Sequence, residues 1–439
     1  MQAKTPNLYV QEKKNYWKDD VMKYQTVKGM DDLFPKEFAV REWLVNVLAG
    51  EARKFGFLQV SSPALESLKL LTAKSGDEVK DQIFVTEKKG SEELGLRFDL
   101  TVPMTRMFVA KQKELQKPVK WFAIAPMWRY EAPQKGRARE FMQLSVELFG
   151  SPNPEADATC INLIISCMEK VGLTSKDFTI KINNRKLLEG LLAEFVPEKS
   201  LVKVIQVIDK ASKMSEGEFK EQLELLGVKK SQGVQKIIAC KGSVDVVKEI
   251  KKFSLNALAK QGLEELENTL KLVNKKYITV DLSIARGLAY YTGNVFECFD
   301  REGKYRALGG GGRYDELVEL FGGDTTPATG FAIGLVPLTV MVIEKGLLPK
   351  PKSGPEYYVA PVNEKVLEIG MEIVQKLRVQ GKSADIDLMR RKLDKQFDYA
   401  IAVGARKIVI VGEKDLAQNQ VTVRELGTGK EEKVSLNKI

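Results

Sequence analysis

The segment from residue 121 to residue 150, WFAIAPMWRYEAPQKGRAREFMQLSVELFG, concentrates side chains that suit binding of an anion. Arg129 and Glu131 follow an apolar run, and the next loop carries Lys135, Arg137 and Arg139 before an alternating run completes the segment. This pattern predicts a long β-hairpin with a basic tip. A solvated turn is the plainer interpretation. Three cations within five residues, flanked by an aromatic side chain and two carboxylates, favour an anionic ligand.

The absence of histidine limits the chemistry that the chain can perform. None of the 439 residues is histidine, which excludes Ser-His-Asp and Cys-His nucleophiles, a histidine general base and His-ligated zinc. The four cysteines form no C-x-x-C pair, so we expect reduced, buried thiols rather than a metal site or a disulfide framework. Catalysis would therefore depend on arginines, lysines, carboxylates, tyrosines or a bound metal.

Composition indicates a soluble globular protein of two or three domains, with 44% hydrophobic and 29% charged residues. No apolar run is long enough to span a bilayer, and the first residues lack a signal-like apolar core. We therefore expect a cytoplasmic protein without a membrane partner. The net charge of +10 is compatible with a polyanionic partner such as nucleic acid, although basic proteins without one are also common.

Several elements surround the hairpin. The run LQVSSPALES predicts a strand broken at Pro63, which belongs on a sheet edge or at an interface. In ELGLRFDLTVPM, the alternating positions of Arg97, Asp99 and Thr101 predict one extended run with these three side chains on a single face. A strand edge facing water is the alternative. The glycines 309–312 would allow a backbone to approach a ligand closely, although glycine-rich turns are common.

The chain divides into three regions by composition. Residues 1–25 form a polar N-terminal arm, and residues 26–350 form the main domain, in which the charged helical pattern of 185–276 indicates an insertion. The run LLPKPKSGPE predicts a linker. Beyond it, alternating strand and helix patterns over residues 356–439 indicate a compact α/β domain.

The order of these segments resembles the class II aminoacyl-tRNA synthetases, and within them the histidyl-tRNA synthetase family. GFLQVSSPALE is similar to the first class II motif at the dimer interface, and WRYEAPQKGRAREF to the second. RGLAYYTG and ALGGGGRYDEL resemble two peptides peculiar to the histidine family, and RFDLT its substrate-binding strand. The resemblance implies an α+β fold: a catalytic domain with a mostly antiparallel sheet and helices, a helical insertion, and a C-terminal α/β anticodon-binding domain.

The resemblance also implies a reaction and its partners. A homodimer would attach L-histidine to histidine tRNA through a histidyl-adenylate, using ATP, with Mg²⁺ carried by the ATP phosphates and no metal held by protein side chains alone. A non-catalytic synthetase-like regulatory or RNA-binding protein is the alternative. The C-terminal domain and the arginines of WRYE and RGL favour the enzyme.

Matching positions imply a role for each site residue. Arg129 and Arg286 would be the catalytic cations at the α-phosphate. The resemblance assigns ATP binding to Arg129, Glu131, Arg137 and Phe141; histidine binding to Asp99, Thr101, Gln143, Glu147, Arg286, Tyr290, Tyr291 and Tyr314; and the tRNA end to Gln134. Arg97 and Arg139 are left outside this site as scaffold residues.

Four positions depart from the family pattern. GFAIGLVPL, at the place of the third class II motif, has Val336 and Pro337 where the family often has Glu-Arg, which leaves the far face of adenine without a cation. Ala289 replaces a frequent aspartate, and Met142 a frequent histidine. Together with the absence of histidine, this indicates a histidine-free variant of the family, produced by design or by natural bias.

Overall fold

A computed structural model describes residues 25–73, 77–87, 90, 92–132, 136–211, 214–285, 290–349 and 354–439. The predicted arm, apart from its last residue, and two predicted site residues, Gln134 and Arg286, lie outside these ranges. The helices are α1 Pro35–Lys54, α2 Leu68–Thr72, α3 Thr101–Lys111, α4 Pro154–Lys170, α5 Arg185–Leu192, α6 Leu201–Lys210, α7 Glu216–Leu225, α8 Ser231–Ile238, α9 Val247–Ile250, α10 Ala257–Leu272, α11 Leu317–Leu320, α12 Leu335–Glu344, α13 Leu367–Val379, α14 Leu393–Ala402 and α15 Glu413–Leu416.

The strands belong to two compact units, Met1–Leu348 and Pro349–Ile439. They are β1 Leu58–Gln59, β2 Leu65–Ser67, β3 Leu94–Leu96, β4 Val119–Trp128, β5 Glu140–Phe149, β6 Phe178–Asn184, β7 Lys241–Gly242, β8 Ile278–Asp281, β9 Asn294–Asp300, β10 Gly309–Arg313, β11 Ala328–Gly334, β12 Tyr357–Pro361, β13 Ala384–Ile386, β14 Lys407–Val411, β15 Gln420–Glu425 and β16 Glu431–Ser435. None of the described helices is both long enough and apolar enough to cross a bilayer.

The first unit is built on a nine-stranded sheet in the order β1-β4-β5-β11-β10-β9-β6-β8-β7. The pairs are antiparallel except β1 with β4 and β6 with β8, which confirms the expected mostly antiparallel sheet. Helices α1, α4, α10 and α12 contact its strands. Their apolar side chains, among them Leu48, Ile164 and Leu338, share one core with Val146 of β5.

The predicted hairpin is present as β4 and β5. These strands pair continuously from Val119 opposite Phe149 to Trp128 opposite Glu140. Beyond them, the backbone N–H of Arg129 donates to the carbonyl of Arg139 at 2.9 Å, so the pairing extends into the basic loop. The strand pairing of the hairpin therefore fixes the positions of the two residues that flank the basic loop, Arg129 and Arg139.

The extended run predicted for RFDLT is wrong. Strand β3 ends before Arg97, and Thr101 is already the first residue of α3. The carboxylate of Asp99 accepts a hydrogen bond from the N–H of Val102 at 3.3 Å, within the first turn. Pro103 fits this turn because the first N–H groups of a helix have no intrahelical acceptor. Asp99 and Thr101 thus lie at a helix start rather than along one face of a strand.

Helices α5 to α10 and strand β7 occupy most of the region 185–276. Val204 of α6, Val234 of α8 and Leu263 of α10 belong to the same buried core as the large sheet. Strand β7 also joins that sheet by pairing with β8. The helical region is therefore packed onto the main domain through a shared core.

The second unit is a five-stranded mixed sheet in the order β13-β12-β14-β15-β16. Strand β12 is parallel to both of its neighbours, β13 and β14. Strand β15 is antiparallel to both of its neighbours, β14 and β16. Val359 packs with Val374 of α13 on one face, and Tyr358 packs with Ala400 of α14 on the other. A central strand covered on both faces explains the continuous apolar run YYVAP.

Candidate active site

A cavity of ≈ 350 Å³ opens on one face of the large sheet, in the size range of small-molecule sites. Strand register explains which residues reach it. Gln143 of β5 lies opposite Gly334 of β11, and Gly310 of β10 lies opposite Glu297 of β9. Gly310 also lies opposite Ala332 of β11. Because directly opposed residues share a face, one surface collects residues from four strands, and those of β10 are glycines.

Most of the predicted site residues line this one cavity. They are Asp99 and Thr101 at the start of α3, Arg129, Glu131 and Arg137 in the hairpin loop, Phe141 and Gln143 on β5, and Tyr290, Tyr291 and Tyr314. Glu147 does not line the cavity; it is buried further along β5 than Gln143, opposite Gly330. Gln134 and Arg286 fall outside the described residues. The cavity therefore gathers residues as far apart in the sequence as Asp99 and Tyr314.

The hairpin loop supplies two of the arginines. The Nε of Arg129 donates to the carbonyl of Phe98 at 3.2 Å, and its guanidinium lies 5.1 Å from the centre of the Phe141 ring. Arg137 forms an ion pair with Glu131. Burial, together with the positive charges of Arg306 and Arg129, lowers the pKa of Arg137. A concentration of positive charge with this geometry suits a polyanion.

Arg97 and Arg139 have contacts typical of scaffold residues. A terminal nitrogen of Arg97 donates to the carbonyls of Ser62 (2.5 Å) and Pro63 (2.9 Å), and its Nε donates to the carbonyl of Pro126 (3.2 Å). Arg139 donates to the carbonyl of Glu131 at 3.1 Å. Neither side chain lines the cavity.

The glycines of β10 and β11 form the floor of the cavity. The lining glycines are Gly309, Gly310 and Gly311 of β10 and Gly330 and Gly334 of β11. A Cβ at Gly309 would lie 2.5 Å from the carbonyl oxygen of Ala332, and one at Gly311 would lie 2.6 Å from the Cα of Phe331. A Cβ at Gly330 would collide with the Glu147 carboxylate and lie 2.6 Å from the Tyr314 hydroxyl. At these positions only glycine leaves room for the neighbouring strand.

Three tyrosines form one wall. The ring centres of Tyr290 and Tyr291 are 4.5 Å apart, and those of Tyr290 and Tyr314 are 5.9 Å apart. Tyr291 and Tyr314 also belong to a buried cluster with Phe108 and Phe149, so they serve as core aromatics as well as cavity lining. The hydroxyl of Tyr314 is buried and has no hydrogen-bond partner among the described residues. A buried hydroxyl without a partner indicates that a polar atom of a ligand could form a hydrogen bond with it.

Sequence reasoning missed two charged residues of the cavity, Glu297 and Arg306. Glu297 lies on β9 within an ordinary alternating strand, and Arg306 precedes β10. Their position depends on the order β11-β10-β9, which no local pattern encodes. Arg313 of the same segment is instead structural, because it pairs with the buried Asp157 at 3.1 Å.

No group of three or more His, Cys, Asp or Glu side chains suitable for a metal ion occurs in the part of the chain that the structure describes. All four cysteines are free, and Cys160, Cys167 and Cys298 are buried. Burial raises the pKa of each of these three thiols. They are therefore protonated core residues rather than reactive groups.

The antiparallel sheet and the arginine-lined cavity at its hairpin define the catalytic domain of a class II aminoacyl-tRNA synthetase. Residues 29–338 match the histidyl-tRNA synthetase family profile, and residues 356–439 match that of an anticodon binding domain. The chain belongs to the histidyl-tRNA synthetase family.

Individual relatives agree over almost the whole chain. The histidine–tRNA ligase of Pyrococcus horikoshii is 39% identical over 425 residues, covering 94% of this chain and 97% of the relative. That of Haloarcula marismortui is 36% identical over 419 residues, covering 94% and 96%. The crystal structure of histidyl-tRNA synthetase from Nostoc sp. PCC 7120 superimposes with a TM-score of 0.81 at 28% identity, covering 95% of this chain and 98% of that one.

Proposed function

We propose that this protein activates L-histidine with ATP in the cavity of the first unit and transfers it to histidine tRNA. In the first step, a carboxylate oxygen of histidine attacks the α-phosphorus of ATP, and the bond to the bridging oxygen breaks to release pyrophosphate. In the second, the terminal ribose hydroxyl of the tRNA attacks the acyl carbon, releasing AMP. The main support is the convergence of hairpin arginines, polar strand residues and tyrosines in one cavity.

The first step requires no histidine side chain in the protein. Phosphoryl transfer of this kind depends mainly on in-line positioning and on stabilisation of charge, and requires no histidine base. Arg129, which lies beside the Phe141 ring, would hold the α-phosphate and the substrate carboxylate together with Arg286. Arg137 would hold the β- and γ-phosphates, and Phe141 would stack on adenine. Mg²⁺ would enter bound to the ATP phosphates.

The other end of the cavity suits the amino acid. Asp99 and Thr101 would receive the substrate ammonium group, and Gln143 and Glu147 would contact the ammonium or the ring. The tyrosine wall, with the buried hydroxyl of Tyr314, would enclose the imidazole. An aromatic wall with a few polar atoms suits a small planar ring that both donates and accepts hydrogen bonds.

We assign the remaining roles by region. Residues 26–350 would be the catalytic domain with its insertion at 185–276, residues 1–25 an N-terminal arm, and residues 356–439 the anticodon-binding domain. Gln134 in the hairpin loop, with Glu131, would face the tRNA end. The enzyme would work in the cytoplasm.

We further propose a homodimer. The edge strand β1 leaves Leu58 70% exposed, and Phe34 is 71% exposed at the start of α1. In the proposed dimer, these two exposed apolar side chains would be covered by the partner subunit. In analytical ultracentrifugation, we expect the wild type to sediment as a dimer. We expect Leu58→Ser to dissociate at a higher protein concentration than the wild type. A wild type that sediments as a monomer at micromolar concentration would refute this assembly.

Histidine-dependent exchange of pyrophosphate into ATP tests the adenylation step. We expect exchange by the wild type and a loss of about 10²- to 10³-fold in Arg286→Ala, which is typical of removing one transition-state donor. Arg301→Ala is the control, because Arg301 is exposed and donates to the carbonyl of Ser175, outside the cavity. Charging of histidine tRNA, measured by filter binding, then tests transfer. Absence of exchange with any amino acid would favour the regulatory alternative.

A further inference from the structure

The cavity has no charged side chain at the position where the family often has an arginine. Val336 and Pro337, the second and third residues of α12, both line the cavity. Neither can neutralise a phosphate. If ATP binds here, a cation for the phosphates on this side of the cavity must come from another element.

Arg306 lies on the rim of the same cavity, in the connection between β9 and β10. Two backbone hydrogen bonds fix the adjoining chain. The N–H of Leu308 donates to the carbonyl of Cys298 at 2.8 Å, and the N–H of Gly334 donates to the carbonyl of Leu308 at 3.1 Å. Gly334 is the residue immediately before α12. Leu308, two residues after Arg306, is therefore hydrogen-bonded to Gly334, which lies two residues before Val336.

The charge of Arg306 also acts on the cation expected to bind the phosphates. Its repulsion contributes to the lowered pKa of Arg137, after the effect of burial. Two guanidinium groups that repel each other across one cavity are stabilised by a polyanion between them, and the planar guanidinium can bind phosphate through two N–H groups.

We propose that Arg306 binds the terminal phosphates of ATP together with Arg137, and so supplies a phosphate-binding cation from outside the hairpin. The inference rests on the proposed adenylation function. Arg306 comes from the connection between β9 and β10, which belongs neither to the hairpin nor to the third class II motif. The contact would be formed with the β- or γ-phosphate, which AMP lacks.

Calorimetric titration with ATP and with AMP tests this assignment directly. We expect Arg306→Ala to weaken ATP binding about 10- to 100-fold, the range for a hydrogen bond between charged groups, and to leave AMP binding unchanged. Arg306→Lys should recover part of the affinity, because it keeps the charge but loses the fork. Lys304→Ala, an exposed residue of the same connection paired with Glu302, is the matched control.

A relocated cation provides the decisive variant. In the Arg306→Ala background, Pro337→Arg should restore ATP affinity and the KM for ATP in pyrophosphate exchange, with the KM for histidine unchanged throughout. Equal losses for ATP and AMP, or unaltered ATP binding by Arg306→Ala, would overturn the assignment even though the wild type is active. A wild type that neither binds ATP nor exchanges pyrophosphate would instead overturn the proposed function.

Discussion

The guanidinium of Arg137 is paired with the carboxylate of Glu131 at the mouth of the cavity, where the two side chains are 31% and 14% exposed. A phosphate that binds Arg137 must compete with this carboxylate. Binding of ATP would thus release Glu131 from Arg137 and leave it available to adenine or the tRNA end. The ion pair would therefore link occupation of the proposed phosphate subsite to the position of an acidic side chain in the same loop.

This competition predicts the behaviour of a ligand that has phosphates but no base. Glu131→Gln should bind tripolyphosphate about twofold to fivefold more tightly than the wild type, because a partly exposed ion pair no longer opposes the anion. Arg137→Ala should bind it more weakly. Calorimetry at low salt measures both, with Arg301→Ala as the control. Weaker binding of tripolyphosphate by Glu131→Gln would show that the pair does not oppose phosphate.

Because the Tyr314 hydroxyl is buried in the cavity, we expect its removal to weaken histidine binding without lowering the stability of the fold. Tyr314→Phe should leave the melting temperature unchanged or slightly higher, since it removes a buried polar atom that has no partner among the described residues. It should raise the KM for histidine about 5- to 50-fold, the range for losing one hydrogen bond in a buried site.

Tyr277→Phe is the reciprocal control. The hydroxyl of Tyr277 donates to Glu169, and this hydrogen bond raises the pKa of Tyr277 to about 12. Its loss should lower stability by about 1 kcal/mol without changing the KM for histidine. An unchanged histidine KM in Tyr314→Phe would remove this hydroxyl from the substrate site.

The glycine floor predicts a strong effect of a single methyl group. Gly330→Ala places its Cβ against the Glu147 carboxylate and 2.6 Å from the Tyr314 hydroxyl. We expect destabilisation of about 1–3 kcal/mol by overpacking, and loss of histidine-dependent exchange in the protein that still folds. Gly50→Ala in α1 meets no atom within 4 Å and should stabilise the fold by about 1 kcal/mol. Thermal melting and exchange assays compare the two.

A buried carboxylate predicts acid sensitivity of the second unit. The Asp387 side chain is 1% exposed, and Arg391 and Tyr358 donate hydrogen bonds to it. Burial alone would favour the neutral carboxyl, but these bonds lower the pKa of Asp387 overall. A lowered carboxyl pKa stabilises the fold above its ordinary value of about 4, and this stability is lost as the pH falls through the lowered pKa.

Asp387→Asn should therefore reduce stability at pH 7 by about 1–3 kcal/mol and lose less on acidification than the wild type. Hydrogen exchange of peptides from 357–361 in the full chain, across a pH series, measures this locally. Asp398→Asn, in an exposed pair with Lys395, is the control. Identical acid profiles for the Asp387 variant and the wild type would contradict the assignment.

The parts of the fold that were predictable have strong local patterns. The β4–β5 hairpin follows from alternating apolar residues on both sides of a charged loop. The interpretation of RFDLT failed because alternation over Arg97, Asp99 and Thr101 is too short to distinguish a strand from a loop that enters a helix. Arg306 was missed because strand order, rather than any local signal, brings it to the cavity.

The floor of the cavity consists of backbone, and this restricts how its specificity can evolve. At Gly310 and Gly330, the volume available to a ligand exists because side-chain atoms are absent. Any substitution there adds atoms, so mutation of the floor can only make the cavity shallower. A change toward a larger amino acid is confined to the wall, where Tyr290 or Tyr314 could become smaller. We therefore expect amino-acid selectivity to change through substitutions in the tyrosine wall and not through substitutions in the glycine floor.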